Sequence, residues 1–295
     1  METNTLPGSD IAAPARPRNP LPEGACDCHA HVFGPFDRHP LLPKPPYLPP
    51  LSPASAYLAM LDAVGFSRGV LVHGSACGWD QGAMVAAIAA GGSRLRGVAV
   101  VPPDAGDKEL DALHAAGVRG VRFTQTAPEA TLQPMAGRVG LDAFGQLAPR
   151  LRERGWSAHI WAKCDLLAPV ASQISSHGVP LVIDHMGFFD ASRGTADPAF
   201  QTLLSLVKDG LAWVKLTAIR NSKAAPGYPD VRPFQEALVT ENPDRMLWGS
   251  DWPYLGMDAS RPDVGALLDL FGEWLGSVEL RNRILVDNPK QLFDS

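Results

Sequence analysis

Four cysteines in 295 residues cannot staple a chain of this length, so a disulfide scaffold is excluded and a cytoplasmic location is the expectation. Positive charge is not in excess either. Lys and Arg total 26 against 31 Asp and Glu, a net charge of −5, which argues against nucleic acid or an anionic membrane surface as the main partner. A small anion is still allowed, because a local pair of arginines overrides the global sign. No apolar run approaches the roughly 18–20 residues of a membrane span. The opening stretch METNTLPGSDIAAPARPRNPLPEG lacks the apolar segment of a secretion signal, and residues 1–23 read as a flexible lead-in rich in proline and small residues. Phosphate fingerprints are missing too: GSACGWDQG does not carry the G-x-G-x-x-G spacing, and no GxxxxGK[ST] occurs. There is no G-x-S-x-G elbow, and Ser250 in GSDWP lies beside an aspartate with no base sequence around it, so serine-hydrolase logic is absent. No internal repeat is found.

What the chain does have is a rhythm. From residue 24 onward, eight short β-branched runs alternate with helical patterns: 25–32, 68–74, 95–101, 118–124, 157–163, 180–186, 211–217 and 245–251. Helices are expected near 53–64, 80–91, 107–116, 141–154, 165–177, 198–209, 231–241, 263–275 and 278–285, with a last one capped by Asp287 or Asn288. Eight strand–helix units in register predict a single-domain (β/α)8 TIM barrel over residues 24–295. An open doubly wound sheet gives the same alternation. Closure is favoured because reactive residues recur at strand ends along the whole chain: His31, His73, Arg122, His185, Arg220 and Asp251. A barrel collects such ends at one mouth, whereas an open sheet spreads them along a line. The proline-rich stretch 33–52 follows the first strand and is expected as a loop over that mouth.

Strand alternation puts Asp27, His29 and His31 on one face of CDCHAHV, and Cys26, Cys28 and Ala30 on the other. On that reading the histidines face the barrel interior and the cysteines the sheet–helix layer, so the four do not form a zinc cluster. Across the barrel, His185 in VIDHMG and Asp251 in LWGSDWP complete a set of imidazoles and a carboxylate that suits either general-base chemistry or one metal. Arg122 and Arg220, near strand ends, suggest an anion site, because the guanidinium fork matches a carboxylate. Arg119 falls on the opposite face and reads as structural. Ser75 follows the second strand, and Trp161, on one face with His159, is expected to line the pocket. His73 reads equally as a structural hydrogen-bonding residue.

These residues resemble a family. H-x-H on the first strand, a histidine on a middle strand and an aspartate ending the last look like the amidohydrolase superfamily. DCHAHVFGP, GVRGVRF, VIDHMG, VKLTAIR and WGSDWP look more narrowly like its lactonase branch, of the 2-pyrone-4,6-dicarboxylate hydrolase type involved in aromatic catabolism. The resemblance implies a hydrolase that opens an anionic pyrone, muconolactone or sugar-acid lactone. Asp251 would be the base for water, His29, His31 and His185 would polarise the carbonyl, and Arg122, Arg220 and Tyr47 would contact the substrate. It implies no required cofactor. Binuclear relatives carry a carbamate lysine at the fourth strand, where this chain reads VRFTQ, and Lys163 is better read as a surface lysine. If one Zn2+ or Mn2+ is bound, its ligands would be His29, His31, His185 and Asp251. The chain departs from the branch in TQTAPEATL, with no cation until Arg138, so a lactone with one acidic group fits as well. The alternatives are a zinc-dependent decarboxylase of an aromatic or muconate acid and a lactone isomerase. A homo-oligomer is left open.

Overall fold

The computed structural model describes residues 11–125, 135–167, Pro169, 171–257 and 260–294. Eight parallel strands form one sheet in chain order: β1 (Cys26–Ala30), β2 (Arg68–Val72), β3 (Leu95–Ala99), β4 (Val118–Gln125), β5 (Ser157–Ala162), β6 (Leu181–Ile183), β7 (Ala212–Leu216) and β8 (Met246–Trp248). Helices α1 (Ala54–Val64), α2 (Gly82–Gly91), α3 (Asp107–Ala115), α4 (Phe144–Glu153), α5 (Cys164–Leu167), α6 (Ala171–Ser175), α7 (Pro198–Lys208), α8 (Arg232–Glu241), α9 (Val264–Leu275), α10 (Val278–Asn282) and α11 (Asn288–Phe293) cross between or follow them. This is a nearly closed (β/α)8 barrel, as the alternation predicts.

The helices form where the sequence supplies both a buried stripe and end signals. In α9 the buried residues Val264, Leu267, Leu268, Phe271 and Trp274 recur at helical spacing, Asp263 caps the start by accepting from the Ala266 amide at 2.9 Å, and Gly276 ends it in the left-handed region. Proline opens α7 and α8, where the missing N–H costs nothing. The expected cap at the last helix is different in fact. A π turn at Arg283–Asp287 joins α10 to α11, and neither Asp287 nor Asn288 caps with its side chain. Asn288 instead donates to the Pro243 and Met246 carbonyls at 2.8 and 2.7 Å, tying the C-terminal helix to β8. Residues 11–23 of the lead-in lie along α9: the Ala15 amide meets Asp263 at 2.8 Å and Arg18 meets Asp269 at 3.0 Å.

Two apolar layers follow from strand alternation. Leu71, Val121, Ile160, Ile183, Val214 and Met246 face outward and pack with the helices. Cys26, Cys28, Val70, Val72, Val98, Val182, Trp213 and Leu247 fill the barrel interior, and Leu292 and Phe293 of α11 plug it from below. All four cysteines are free and buried. The expected direction of Cys26 and Cys28 is therefore corrected: they point into the barrel. The physical reason is a bulge. Between Asp27 and Ala30, β1 spends one residue more than β2 does between Gly69 and Leu71, so the alternation slips. Asp27 points outward to Tyr57 of α1, yet His29 still turns inward.

The seam between β8 and β1 closes near the mouth. The Asp251 amide donates to the His29 carbonyl at 2.8 Å and the His31 amide to the Trp252 carbonyl at 2.8 Å. Backbone approach here is close: a Cβ on Gly249 would lie 2.6 Å from that of His29, so only glycine fits. The seam thus holds two sequence-distant functional segments in fixed register.

Candidate active site

The site is built in two layers. In the lower layer, the register of β4 and β5 sets Arg122 beside His159, and β6 and β7 bring Asp184 and Lys215 across from them. Asp184 takes Arg122 Nε at 2.9 Å on Oδ2 and Lys215 Nζ at 3.1 Å on Oδ1. Lys215 Nζ also lies 3.0 Å from His29 Nδ1. Lys215, Asp184, His29 and His159 are all fully buried. Beyond His29, its Nε2 faces Asp251 Oδ1 at 3.7 Å, and His31 Nε2 faces the same oxygen at 3.4 Å. His31 is fixed by Nδ1, which donates to the Val72 carbonyl at 2.8 Å. Arg220 Nε pairs with Asp251 Oδ2, and its Nη1 holds the Leu255 carbonyl at 2.8 Å. Charges of alternating sign therefore run from Arg122 through Asp184 and Lys215, past His29, to Asp251 and Arg220.

The upper layer is a cavity of about 250 Å³ lined by His31, Tyr47, Ser75, Arg122, Trp161, His185, Phe188, Arg220, Asp251, Leu255 and Gly256. That is a little under the roughly 300–1,000 Å³ of most small-molecule sites, room for one substituted ring. Arg122 lies 4.9 Å from the centre of the Trp161 ring. The proline-rich loop is pinned at its ends by a Phe33–Ser52 bridge and lends Tyr47, which lines the cavity with its ring set edge-on to Phe33 at 6.3 Å. His185 and Asp251 sit in left-handed backbone, φ 50° and φ 61°. Non-glycine residues rarely adopt it, and such strain collects at functional sites. Here it turns two side chains inward where plain alternation would not. The His185 carbonyl is anchored by Asn221 Nδ2 at 2.9 Å.

Burial and neighbouring charge set the protonation states. Burial pushes His185 down to about 3 against the opposing pull of Asp251 and Asp184. Burial and the Lys215 charge hold His29 well below the usual imidazole range. Both rings are neutral at physiological pH. Burial alone would raise Asp251, but Arg220 and then His185 hold its carboxyl well below the ordinary carboxylate range. Asp184 is held low in the same way, by Lys215, His29 and Arg122 against burial. Burial lowers Lys215, and Asp184 opposes it.

Of the residues expected from sequence, His31, His185, Asp251, Arg122, Arg220, Tyr47, Ser75 and Trp161 meet at this one cavity. His29 does not line it, and lies one layer deeper. His73 bonds the Gly78 carbonyl through Nε2 at 2.8 Å and stays outside, the structural alternative. The TQTAPEATL departure lies largely outside the described residues. Sequence reasoning missed Lys215, Asp184, Phe188 and Leu255. A lysine alternating with Trp213 in AWVKL was the available signal for Lys215. Among the described residues, two groups of donors lie within 4.8 Å of one another and could hold a metal: His29, Asp184 and His185, and His29, His31 and Asp251. Neither includes a cysteine.

A family model described as amidohydrolase matches residues 26–294. A 2-pyrone-4,6-dicarboxylate hydrolase of Comamonas testosteroni is 35% identical over 292 residues, covering 96% of this chain and 94% of the relative. A 4-sulfomuconolactone hydrolase of Rhizobium radiobacter is 38% identical over 278 residues, covering 92% and 91%. The crystal structure of a probable 2-pyrone-4,6-dicarboxylic acid hydrolase from Acinetobacter baumannii, with citric acid bound, superposes with a TM-score of 0.79 at 28% identity, covering 92% of this chain and all of that one. The chain belongs to the amidohydrolase family, and its curated relatives include lactone hydrolases.

Proposed function

We propose that this enzyme opens the ring of an anionic lactone with water, Asp251 acting as general base. The carrying observation is that Asp251, His31, His185, Arg122 and Arg220 line a single ring-sized cavity. Water oxygen bonds to the lactone carbonyl carbon as Asp251 takes its proton. The ring C–O bond then breaks, and that proton passes to the leaving oxygen, giving a ring-opened acid. His185 and His31 stand where they can orient the water or the carbonyl. Arg122 and Arg220 receive the acid group and the developing oxyanion, and one well-placed donor to such an oxyanion contributes about 3–4 kcal/mol. The Arg220–Asp251 pair adds a refinement: a substrate carboxylate that draws Arg220 away leaves Asp251 a stronger base. The names of two relatives, a pyrone dicarboxylate hydrolase and a sulfomuconolactone hydrolase, support an anionic ring as substrate. No step is routed through a metal.

The test is a panel of pyrone, muconolactone and aldarolactone acids, each with and without chelator, with products read by NMR. Ring opening that survives chelator is expected for at least one acid. In Asp251→Asn, kcat should fall by about three or more orders of magnitude. An unchanged kcat in that variant, or decarboxylated product that requires zinc, would end this reading. An isomerised lactone would retain the site and replace water with a substrate hydroxyl.

A further inference from the structure

We propose that Lys215 is a positioning residue that keeps metal out of both donor groups and sets His29 as a hydrogen-bond donor towards Asp251. The inference deepens the lactonase reading, and depends on it only for the catalytic consequence.

The geometry carries it. Lys215 Nζ is fully buried, 3.1 Å from Asp184 Oδ1 and 3.0 Å from His29 Nδ1. A lysine ammonium has donors and no acceptor, so His29 Nδ1 must accept, while Asp184 Oδ1 pairs with the ammonium by charge. An imidazole that accepts at Nδ1 carries its proton on Nε2. The other arrangement, His29 Nδ1–H donating to Asp184, spans a longer 3.4 Å and sets a buried N–H against the ammonium at 3.0 Å. Donor would face donor with no water between them.

Each donor group then meets the same obstacle. In the group of His29, Asp184 and His185, the ammonium already bridges two of the three donors, taking the place of a cation. In the group of His29, His31 and Asp251, a metal needs the lone pair of His29 Nε2, and that atom holds the proton. Metal-ligating histidines direct their second nitrogen, as N–H, to a carboxylate or carbonyl. Here that nitrogen receives a proton instead. His29 Nε2 has no partner within hydrogen-bonding distance and faces Asp251 Oδ1 at 3.7 Å. The resulting role is to steady the base. A small approach of Asp251, released from Arg220, completes that bond.

The test needs no substrate. Protein labelled with 15N-histidine is expected to show His29, assigned by its loss in His29→Gln, as the Nε2–H tautomer at neutral pH. Wild-type enzyme dialysed against zinc chloride and then washed should retain no tightly held zinc by elemental analysis. The double variant Lys215→Met, Asp184→Asn removes both members of the buried pair, leaves Arg122 at the cavity wall with an amide in place of its carboxylate, and puts an amide oxygen within reach of His29 Nδ1–H. It should retain about one zinc per chain. Without metal, its kcat should fall about 10- to 100-fold with little change in KM. An Nδ1–H tautomer, tightly held zinc in the wild type, or a folded double variant that takes no zinc would each overturn the proposal. Should the double variant fail to fold, the tautomer and the wild-type zinc content decide alone. A protein that passes both and opens no lactone loses the lactonase reading and keeps this one.

Discussion

The barrel carries charge at both ends, partly open to water at one and fully buried at the other. At the N-terminal ends of the strands, Arg68 meets Asp294 at 2.5 Å, with Arg96 at 3.8 Å from its second oxygen. Arg68 also donates to the Gly24 and Val286 carbonyls, each at 2.9 Å, and Arg119 to those of His114 and Val118 at 3.0 and 2.8 Å. Leu292 and Phe293 fill the space above them. At the C-terminal ends a longer chain of alternating charges stops short of filling its space. His29 Nε2 and His185 Nδ1 are left without partners, and a cavity remains. Similar residue types therefore serve opposite ends. Where the charged groups keep some access to water and an apolar plug follows, charge fastens the fold. Where a buried nitrogen such as His185 Nδ1 is left over beside a void, it is available to a ligand.

The sharpest way to break this contrast is to remove a cation from the open end. Arg122 is bound through Nε to Asp184 and stacked over Trp161, and it lines the cavity. In Arg122→Leu, Asp184 keeps Lys215 as partner, so the fold should survive. On the proposed reading kcat/KM falls by about 30- to 1,000-fold, the usual cost of truncating a buried charged contact. The methyl ester of the same substrate should be a poor substrate for wild type and lose little further in the variant. An acid and an ester turned over alike by wild type would show that no anion site operates there.

The opposite end should respond in the opposite currency. Asp294→Ala removes the partly exposed counter-charge of Arg68 and Arg96, at a cost of about 0.5–1 kcal/mol in urea unfolding. Activity per folded molecule should not change. A variant as stable as wild type would mean the lower end gains nothing from its charge pairing.

The two ends were unequally legible in the sequence. Eight strands, the barrel and the charged residues of the cavity can be read because each follows a local pattern: period-two apolar runs, and a reactive residue where a run stops. Lys215 could not be placed so simply. In isolation a strand lysine reads as solvent-facing, and only closure of the sheet makes that face an interior. Asp184 was hidden by its neighbour. In a regular strand Asp184 and His185 point to opposite faces, and it is the left-handed turn at His185 that aims both inward. The direction of the cysteines failed for a similar cause, since no local signal marks a one-residue bulge. The Arg68–Asp294 pair joins residues 226 apart and has no signature in the chain. Patterns of one strand survive in sequence, whereas contacts made by closing eight of them do not.

Asp27 offers the finest test, because it sits on the outer side of the same seam with no cation beside it. Its carboxylate accepts from the Ser250 amide at 2.8 Å, the Ser250 hydroxyl at 2.6 Å, the Tyr57 hydroxyl at 3.2 Å and the His29 amide at 3.3 Å. Burial outweighs these bonds and pushes Asp27 up from 3.8 to about 6, whereas cations hold Asp184 and Asp251 low. The sign follows from proton binding. Between pH 3.8 and about 6 the folded chain keeps a proton that the unfolded chain has released, so stability falls as pH rises through that window. The contribution is full below the unfolded value and lost above the folded one. Asp27→Asn removes the titration and keeps an acceptor oxygen for Ser250. Urea melts from pH 4 to 7 should show wild type losing about 1–3 kcal/mol relative to the variant. The reverse slope would mean that Asp27 is ionised and stabilised by its hydrogen bonds alone. In that case a buried carboxylate at this seam would need no cation, and the contrast with Asp184 and Asp251 would rest on their access to the cavity.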